Sequence, residues 1–448
     1  MEAKSDNPNL KASTSNLARV LALRHFVAIG INMCIGGSIF FIGADAYRLV
    51  GSWSVVVAVV VGLFSLLMGL IFAEVSSRFD GTGGPYIYGL VAFGPFVGSE
   101  LAWMMWCTRV LAQASLTNAV LTSIAYFFGG DMSPVTRLIS ICILNLSIMV
   151  IHLCGIEQGA RTILGFSVAK MLPLAFVLVA GMVRGHIGPV SLASAPKSNL
   201  LGETALLLLF SFSGYEVIAV TAGEARNPRR DAPLATVITV GVMVSVWICL
   251  QLVLIRTVPN LATETRPVVA AAASLAGPFI AMLINVGAIV SALGTCVGTL
   301  LSASRSLYAL GADRLAPAWF GTVNKRTGVP SRAIILSTIS VLGLSVSGSF
   351  VFLAAAAAVP RLLVFFAVSA ALLRLRANEG RIGLQRPRFR LCGGRLLSIS
   401  AMTGCALVLV GLSRAQLGFG IGGVMLGAGL YVFGRFNNGW VSYQGPGG

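Results

Sequence analysis

Charged residues are scarce in this sequence. Of its 448 residues, only 10% are charged, while 56% are hydrophobic, and the mean hydropathy is +0.88. A soluble domain of this length needs far more charge to cover its surface. The composition therefore excludes an ordinary soluble protein and indicates that much of the chain lies in lipid.

Metal-binding and disulfide patterns are also missing. The three histidines, His25, His152 and His186, form no cluster along the chain, and no two cysteines form a CxxC pair. The cysteines are Cys34, Cys107, Cys142, Cys154, Cys249, Cys296, Cys392 and Cys405. Because most of them lie in apolar runs, we interpret them as small hydrophobic residues and expect no metal site or disulfide framework.

Signature motifs of several other classes of membrane protein are absent. The sequence has no GxxxxGK[ST] loop, no HExxH pair and no TVGYG segment. These absences argue against an ATP-driven pump, a membrane enzyme and a carbonyl-lined channel. We therefore expect no enzymatic activity and no cofactor.

Acidic residues are outnumbered by basic ones, 15 to 32, which gives a net charge of +17. A nucleic-acid partner is one explanation, but the basic residues cluster in short segments such as 226–230 and 374–395. In a membrane protein such segments mark the cytosolic side. We expect no nucleic-acid partner, both termini in the cytosol and a location in the cell membrane. The polar segment 1–24 lacks the features of a signal peptide.

The apolar runs predict an all-α polytopic membrane protein with twelve transmembrane helices, since only helices satisfy their own backbone in lipid at this apolar density. The predicted spans cover residues 26–48, 53–75, 94–127, 135–155, 161–182, 201–224, 233–256, 277–310, 332–349, 351–373, 396–413 and 416–436.

Small, poorly helix-forming residues interrupt two of these spans near mid-membrane. The first span contains the run from Gly36 to Ser38, and the sixth contains the run from Ser211 to Gly214. Each run alone fits close helix packing of the small-xxx-small kind. The two interruptions, however, lie five helices apart and therefore enter from opposite faces, which is the pattern of a transporter built from inverted repeats.

Interrupted helices expose backbone groups of both polarities at the midplane. The first half-helices end in carbonyl groups, which attract a cation, and the second halves begin with N–H groups, which attract an anion. A small zwitterion satisfies both, so we expect an α-amino acid as the substrate.

Four groups of motifs, in order and in register, resemble the amino acid–polyamine–organocation transporter family. They are IGGSIF at 35–40, AEV at 73–75 with GGPYIY at 83–88, FSGYE at 212–216 with GEARNP at 223–228, and SRSLYAL at 304–310 with DRLAP at 313–317. Two positions depart from the family pattern: Ser38 stands where a glycine is usual, and Asp80 replaces the customary proline.

The resemblance implies a core of five plus five helices related as inverted repeats, as in the leucine transporter, with two accessory helices and alternating access. The implied divisions are a cytosolic tail 1–24, a first repeat 25–182, a second repeat 201–374, a basic cytosolic loop 375–395, accessory helices 396–436 and a cytosolic tail 437–448.

The resemblance also implies a central amino acid site. Its residues are Cys34, Gly36, Gly37, Ser38, Ile39, Phe210, Ser213 and Gly214, with Phe210 and Tyr215 as the gate. In this site the segment from Gly36 to Ser38 holds the carboxylate, and carbonyls near Cys34, Phe210 and Ser213 hold the ammonium group.

Lys170 and Glu216 are the candidates for proton coupling. Lys170 lies about 13 Å along the fifth span, which is too deep for easy snorkelling, although that alternative stays open. The resemblance suggests that protonated Lys170 ties the fifth helix to carbonyls of the first and that deprotonation releases it. Glu216 either complements a helix N-terminus or acts as a protonatable switch.

Two arginines also lie within predicted spans. Arg109 needs an acidic partner that faces the bundle, for which Glu74 and Glu216 are the candidates. Arg361 follows Pro360 in the tenth span, and we interpret it as a structural residue that pairs with carbonyls exposed by the kink.

The sequence therefore favours a secondary transporter for an amino acid in the lipid bilayer, with a proton as the coupling ion. An amino acid or polyamine exchanger and a non-transporting amino acid sensor are the alternatives. Glu216 is the only acidic residue near the interruptions, which favours a neutral over a cationic side chain. The oligomeric state stays open.

Overall fold

Helices form every regular element in the part of the chain that the structure describes. The computed structural model describes residues 22–79, 84–130, 132–154, 157–192, 194–220, 227–324, 327–379, 387, 389–410, 412 and 414–438. The α-helices in these residues are α1 Leu23–Cys34, α2 Ile42–Val50, α3 Trp53–Ser76, α4 Pro85–Phe93, α5 Pro95–Ala125, α6 Pro134–Leu153, α7 Glu157–Val183, α8 Ser198–Ser211, α9 Glu216–Val220, α10 Pro228–Thr257, α11 Pro267–Ala276, α12 Pro278–Ala312, α13 Ser331–Ser347, α14 Phe350–Ala377, α15 Gly394–Val410 and α16 Arg414–Asn438.

Seven helical segments among the described residues are long and apolar enough to cross a membrane. They are Trp53–Ser76, Pro95–Phe128, Pro134–Leu153, Arg230–Thr257, Pro278–Ala312, Phe350–Ala377 and Arg414–Phe436. Each has at least 20 residues, and a helix of 20 residues spans about 30 Å. This agrees with the predicted all-α polytopic membrane protein.

Four of the other predicted spans correspond to divided or shorter helices, and the fifth corresponds to α7. The first and sixth predicted spans are each divided into two helices, which confirms the predicted interruptions. The ninth and eleventh correspond to α13 and α15, which have 17 residues each. The apolar helical segment Lys170–Val183 lies in the fifth.

Outward-facing apolar residues mark the lipid side of the bundle. On α6 the residues Ile141, Asn145 and Ile148 are buried along one stripe. On the other side of the same helix, Ile143 and Val150 are exposed. Because exposing this apolar face of α6 to water is unfavourable, the face is suited to contact with lipid hydrocarbon.

Two short helices, α4 and α11, lie in stretches that we predicted to be connections. Each begins with a proline and is followed by one glycine and then by a long helix that also begins with a proline. The two glycines, Gly94 and Gly277, have φ of +96° and +87°, a conformation that favours glycine. The same junction thus occurs twice, before α5 and before α12.

Two motif segments that are far apart in sequence meet in the structure. The Tyr86 hydroxyl donates a hydrogen bond to Asp313 Oδ2 at 2.5 Å, which joins the GGPYIY and DRLAP motifs. The start of α4 is therefore fastened to the end of α12. The GEARNP motif lies mostly outside the described residues.

Candidate functional site

The first interrupted helix turns at Ile35 and Gly36. Helix α1 ends at Cys34, a short 3-10 helix runs over Gly37–Phe40, and α2 follows from Ile42. Glycine at two successive positions lowers the cost of leaving the helix here. Gly37 also lies against α12, because a Cβ at this position would be 2.6 Å from Ala292 Cβ and 2.8 Å from Ala292 Cα.

Gly37→Ala is expected to lower the thermal stability of the protein, since the added methyl group forces the first interruption away from α12. Overpacking of this kind costs about 1–3 kcal/mol. The midpoint of thermal unfolding in detergent measures the effect. Gly343→Ala on α13 is the matched control, because nothing lies within 4 Å of a Cβ there. Ala292→Gly should partly restore the Gly37→Ala variant, and an unchanged midpoint in Gly37→Ala would contradict the close approach.

The second interruption crosses the first at Gly214. Helix α8 ends at Ser211 and α9 begins at Glu216, and between them Gly214 has φ of +125°. A Cβ on Gly214 would be 2.5 Å from the Met33 carbonyl oxygen. The hydroxyl oxygens of Ser38 and Ser211 are 3.5 Å apart. The two interruptions therefore contact each other directly.

Backbone groups at the first interruption have no partner among the described residues. The N–H groups of Gly36, Gly37 and Ser38 donate to none of the described groups, and the carbonyls of Cys34 and Ile35 accept from none. Unsatisfied amides attract negative charge and unsatisfied carbonyls attract positive charge. This part of the backbone can therefore bind a group of either sign.

A cavity lies where the interruptions cross. Its empty volume is about 390 Å³, including space that is open to solvent. Besides residues of the interruptions, its walls contain Arg109, Ala112 and Leu116 from α5, Thr295 and Thr299 from α12, and Arg361 from α14.

Most of the predicted site residues lie in the walls of this cavity. Those that do are Cys34, Gly36, Gly37, Ser38, Phe210, Ser213 and Gly214. The Phe210 ring contacts Phe350 at 6.5 Å between centroids. Ile39 and Tyr215 are buried beside the cavity but do not line it. Tyr215 instead packs against the rings of Phe72 and Phe365, each 6.1 Å away.

Lys170 contacts the interrupted first helix. Its side chain is buried, and its ammonium group donates a hydrogen bond to the Asn32 carbonyl. Asn32 directly precedes Met33, which lines the cavity. Lys170 on α7 is therefore in contact with the same backbone segment that forms the cavity wall.

Glu216 and Arg361 form a buried ion pair. Arg361 Nε lies 3.3 Å from Glu216 Oε1, and both side chains are less than 5% exposed. Glu216 Oε2 accepts the Gly214 N–H at 2.7 Å, and Arg361 Nη1 donates to the Leu209 carbonyl at 3.5 Å. The interpretation of Arg361 as paired with carbonyls alone was incomplete, because its main partner is a carboxylate and it lines the cavity.

Neither acidic residue predicted as the partner of Arg109 pairs with it. Glu216 pairs with Arg361, and Glu74 pairs with Arg78 and Arg376. The prediction was wrong because the competing arginines lie on elements whose positions are set by the tertiary fold, not by the local sequence.

Thr295 and Thr299 are site residues that the sequence analysis missed. Their hydroxyl groups donate to the carbonyls four residues earlier at 2.9 and 2.7 Å, so their oxygen lone pairs remain available as acceptors. The only signal in the sequence was their spacing of four, which places both on one face of α12.

Two interrupted helices that meet at a cavity in a helical membrane protein are found in many secondary transporters. A family model described as amino acid permease matches residues 21–431. The chain therefore belongs to the amino acid permease family, and the resemblance inferred from the motifs is confirmed.

Curated relatives of the chain carry transporter names. It is 27% identical over 397 residues to "Cationic amino acid transporter 3, mitochondrial" of Arabidopsis thaliana, covering 83% of this chain and 65% of the relative. It is 26% identical to "Cationic amino acid transporter 2, vacuolar" of the same plant, covering 83% and 62%. It is also 26% identical to "Gamma-aminobutyric acid permease" of Bacillus subtilis, covering 82% of each chain. The chain thus spans slightly less than two thirds of the length of these plant relatives.

Proposed function

We propose that this protein is a secondary active transporter that moves an amino acid across the cell membrane by alternating access, in symport with a proton. The observation that carries the proposal is the cavity at Gly37 and Gly214. Amides and carbonyls of an interrupted helix lie at this cavity without a partner among the described residues. An amino acid has one group for each polarity, and so do the substrates named for the relatives.

The proposal includes twelve spans, cytosolic termini and a core of two inverted five-helix repeats with two accessory helices. The duplicated junction of short helix, glycine and proline before α5 and before α12 supports a repeat. The closing of the site over the substrate is assigned to Phe210, which lines the cavity, and to Tyr215, whose packing against α3 and α14 would change as the bundle moves.

Substrate counterflow in proteoliposomes tests the function. Vesicles loaded with one unlabelled amino acid are diluted into trace amounts of the labelled form, and the proteinogenic amino acids are screened in turn. A transporter gives transient accumulation of label, whereas a sensor or an enzyme gives none. Uptake into empty vesicles under an inward proton gradient indicates symport, and uptake only into loaded vesicles indicates exchange. Absence of counterflow with every amino acid would overturn the proposal.

In the proposed mechanism Lys170 carries the coupled proton. The protonated ammonium group holds the carbonyl end of α1 through Asn32. Loss of the proton would release α1 from α7 and permit the first helix to move. Glu216 holds the second interruption in place, because it accepts the Gly214 N–H and forms an ion pair with Arg361.

Lys170→Ala is expected to abolish accumulation driven by a proton gradient while counterflow continues, because coupling is lost but the cavity remains. The measurement is uptake of the substrate found in the screen, with and without an inward proton gradient. Lys197→Ala is the control, since Lys197 is an exposed lysine that precedes α8. If the Lys170→Ala protein still responds fully to the gradient, another group carries the proton.

A further inference from the structure

Arg109 is a buried cation that has no partner among the described residues. Its side chain is 5% exposed, it lies in the cavity wall, and its Nε makes no hydrogen bond. No ion pair or hydrogen bond of its guanidinium group is present within the described chain. An uncompensated buried guanidinium group is costly, so its presence at a ligand cavity points to a partner that the ligand supplies.

The surrounding charges leave one positive charge in excess in the cavity wall. Arg361 is neutralised by Glu216, while none of the described residues neutralises Arg109. Glu74 is occupied by two other arginines, Arg78 and Arg376. Lys170, the remaining buried cation near the cavity, adds to the positive charge when protonated. A zwitterion contributes no net charge and therefore leaves Arg109 uncompensated.

We infer that the substrate is a dicarboxylic amino acid and that Arg109 binds its side-chain carboxylate. This inference rests on the proposed function. The unpartnered amides from Gly36 to Ser38 already provide a site for the α-carboxylate, so the guanidinium group is left for a second one. Arginine binds carboxylates through two parallel hydrogen bonds. A cationic side chain would instead meet Arg109 and Arg361 at the same wall.

Matched substrate pairs test the inference with the full chain in proteoliposomes. Aspartate is compared with asparagine, and glutamate with glutamine, because each pair differs in charge but hardly in size; lysine and arginine complete the set. We expect the initial counterflow rate of the acid to exceed that of its amide at least about tenfold. Loss of one hydrogen bond between charged groups has an effect of at least this size. Arg109→Gln should lower this ratio at least about tenfold.

Two further variants separate selectivity from folding. Arg109→Lys keeps the charge and should retain part of the preference for the acid, whether or not Arg109→Gln folds. Arg48→Gln removes an exposed arginine that does not line the cavity and should leave the ratio unchanged. A ratio in Arg109→Lys equal to that of the unmodified protein would overturn the inference, because lysine cannot reproduce the paired hydrogen bonds.

Failure of the inference differs from failure of the proposed function. Counterflow of amides or of cationic amino acids without counterflow of the acids overturns the inference and leaves the transporter proposal standing. Counterflow of neutral amino acids that stops when gluconate replaces chloride would show that Arg109 holds an inorganic anion, which also overturns the inference. Absence of counterflow with every amino acid overturns both.

Discussion

Gly214→Ala is expected to abolish uptake and to lower the thermal stability of the protein. Gly214 has φ of +125°, a conformation that costs a residue with a side chain about 1–3 kcal/mol. The new Cβ would also lie 2.5 Å from the Met33 carbonyl oxygen and 2.8 Å from the Cys34 nitrogen. Because these are backbone atoms, no side-chain rotation relieves the contact, and the two interruptions must separate.

Counterflow and thermal unfolding in detergent measure the two parts of this effect. Strain and overpacking together exceed the roughly 1.4 kcal/mol that corresponds to a tenfold change, so counterflow should fall by much more than tenfold. Gly241→Ala on α10 is the matched control, since a Cβ there has nothing within 4 Å. Normal counterflow in Gly214→Ala would mean that the interruptions do not cross as closely as the backbone indicates.

The interruptions could be predicted from the sequence because their signal is local, and together with the family resemblance they indicated half of the residues that line the cavity. Small residues with low helix propensity fall at matching depths in two spans, and the backbone leaves the helix at those positions. The contact between Lys170 and a carbonyl of the first helix was predicted from the family resemblance. The residues alone indicated only that a buried ammonium group deep in a span must find an acceptor.

The pairing of the buried charges could not be predicted. Glu216 was a candidate partner of Arg109, but it pairs with Arg361, and this choice depends on how α14 packs beside the second interruption. Arg109 was expected to be paired, yet it faces the cavity. Such contacts join elements more than a hundred residues apart, and no periodic pattern in the sequence predicts them.

Glu74 is a buried carboxylate that joins three segments of the chain. Its Oε1 accepts from Arg78 Nη2 at 2.9 Å and from Arg376 Nε at 2.8 Å. Its Oε2 accepts from Arg376 Nη2 at 2.5 Å and from the Leu391 N–H at 2.8 Å. Glu74 is fully buried, and the Arg78 and Arg376 side chains are 1% and 8% exposed. Each of the four hydrogen bonds needs an acceptor atom on residue 74, and only a carboxylate has acceptors at both Oε1 and Oε2.

Glu74→Gln is therefore expected to destabilise the protein by about 3–5 kcal/mol, as found when one partner of a buried ion pair is removed. One position of the carboxylate becomes an amide donor facing N–H groups. Arg376 loses its counter-charge, and Arg78 keeps only its ion pair with Glu379 at 2.8 Å. The midpoint of thermal unfolding in detergent measures the change. Asp45→Asn is the matched control, since its partner Arg48 is 53% exposed and such surface pairs contribute at most about 1 kcal/mol. Equal midpoints for the two variants would mean that water or rearranged groups satisfy Arg78 and Arg376 without Glu74.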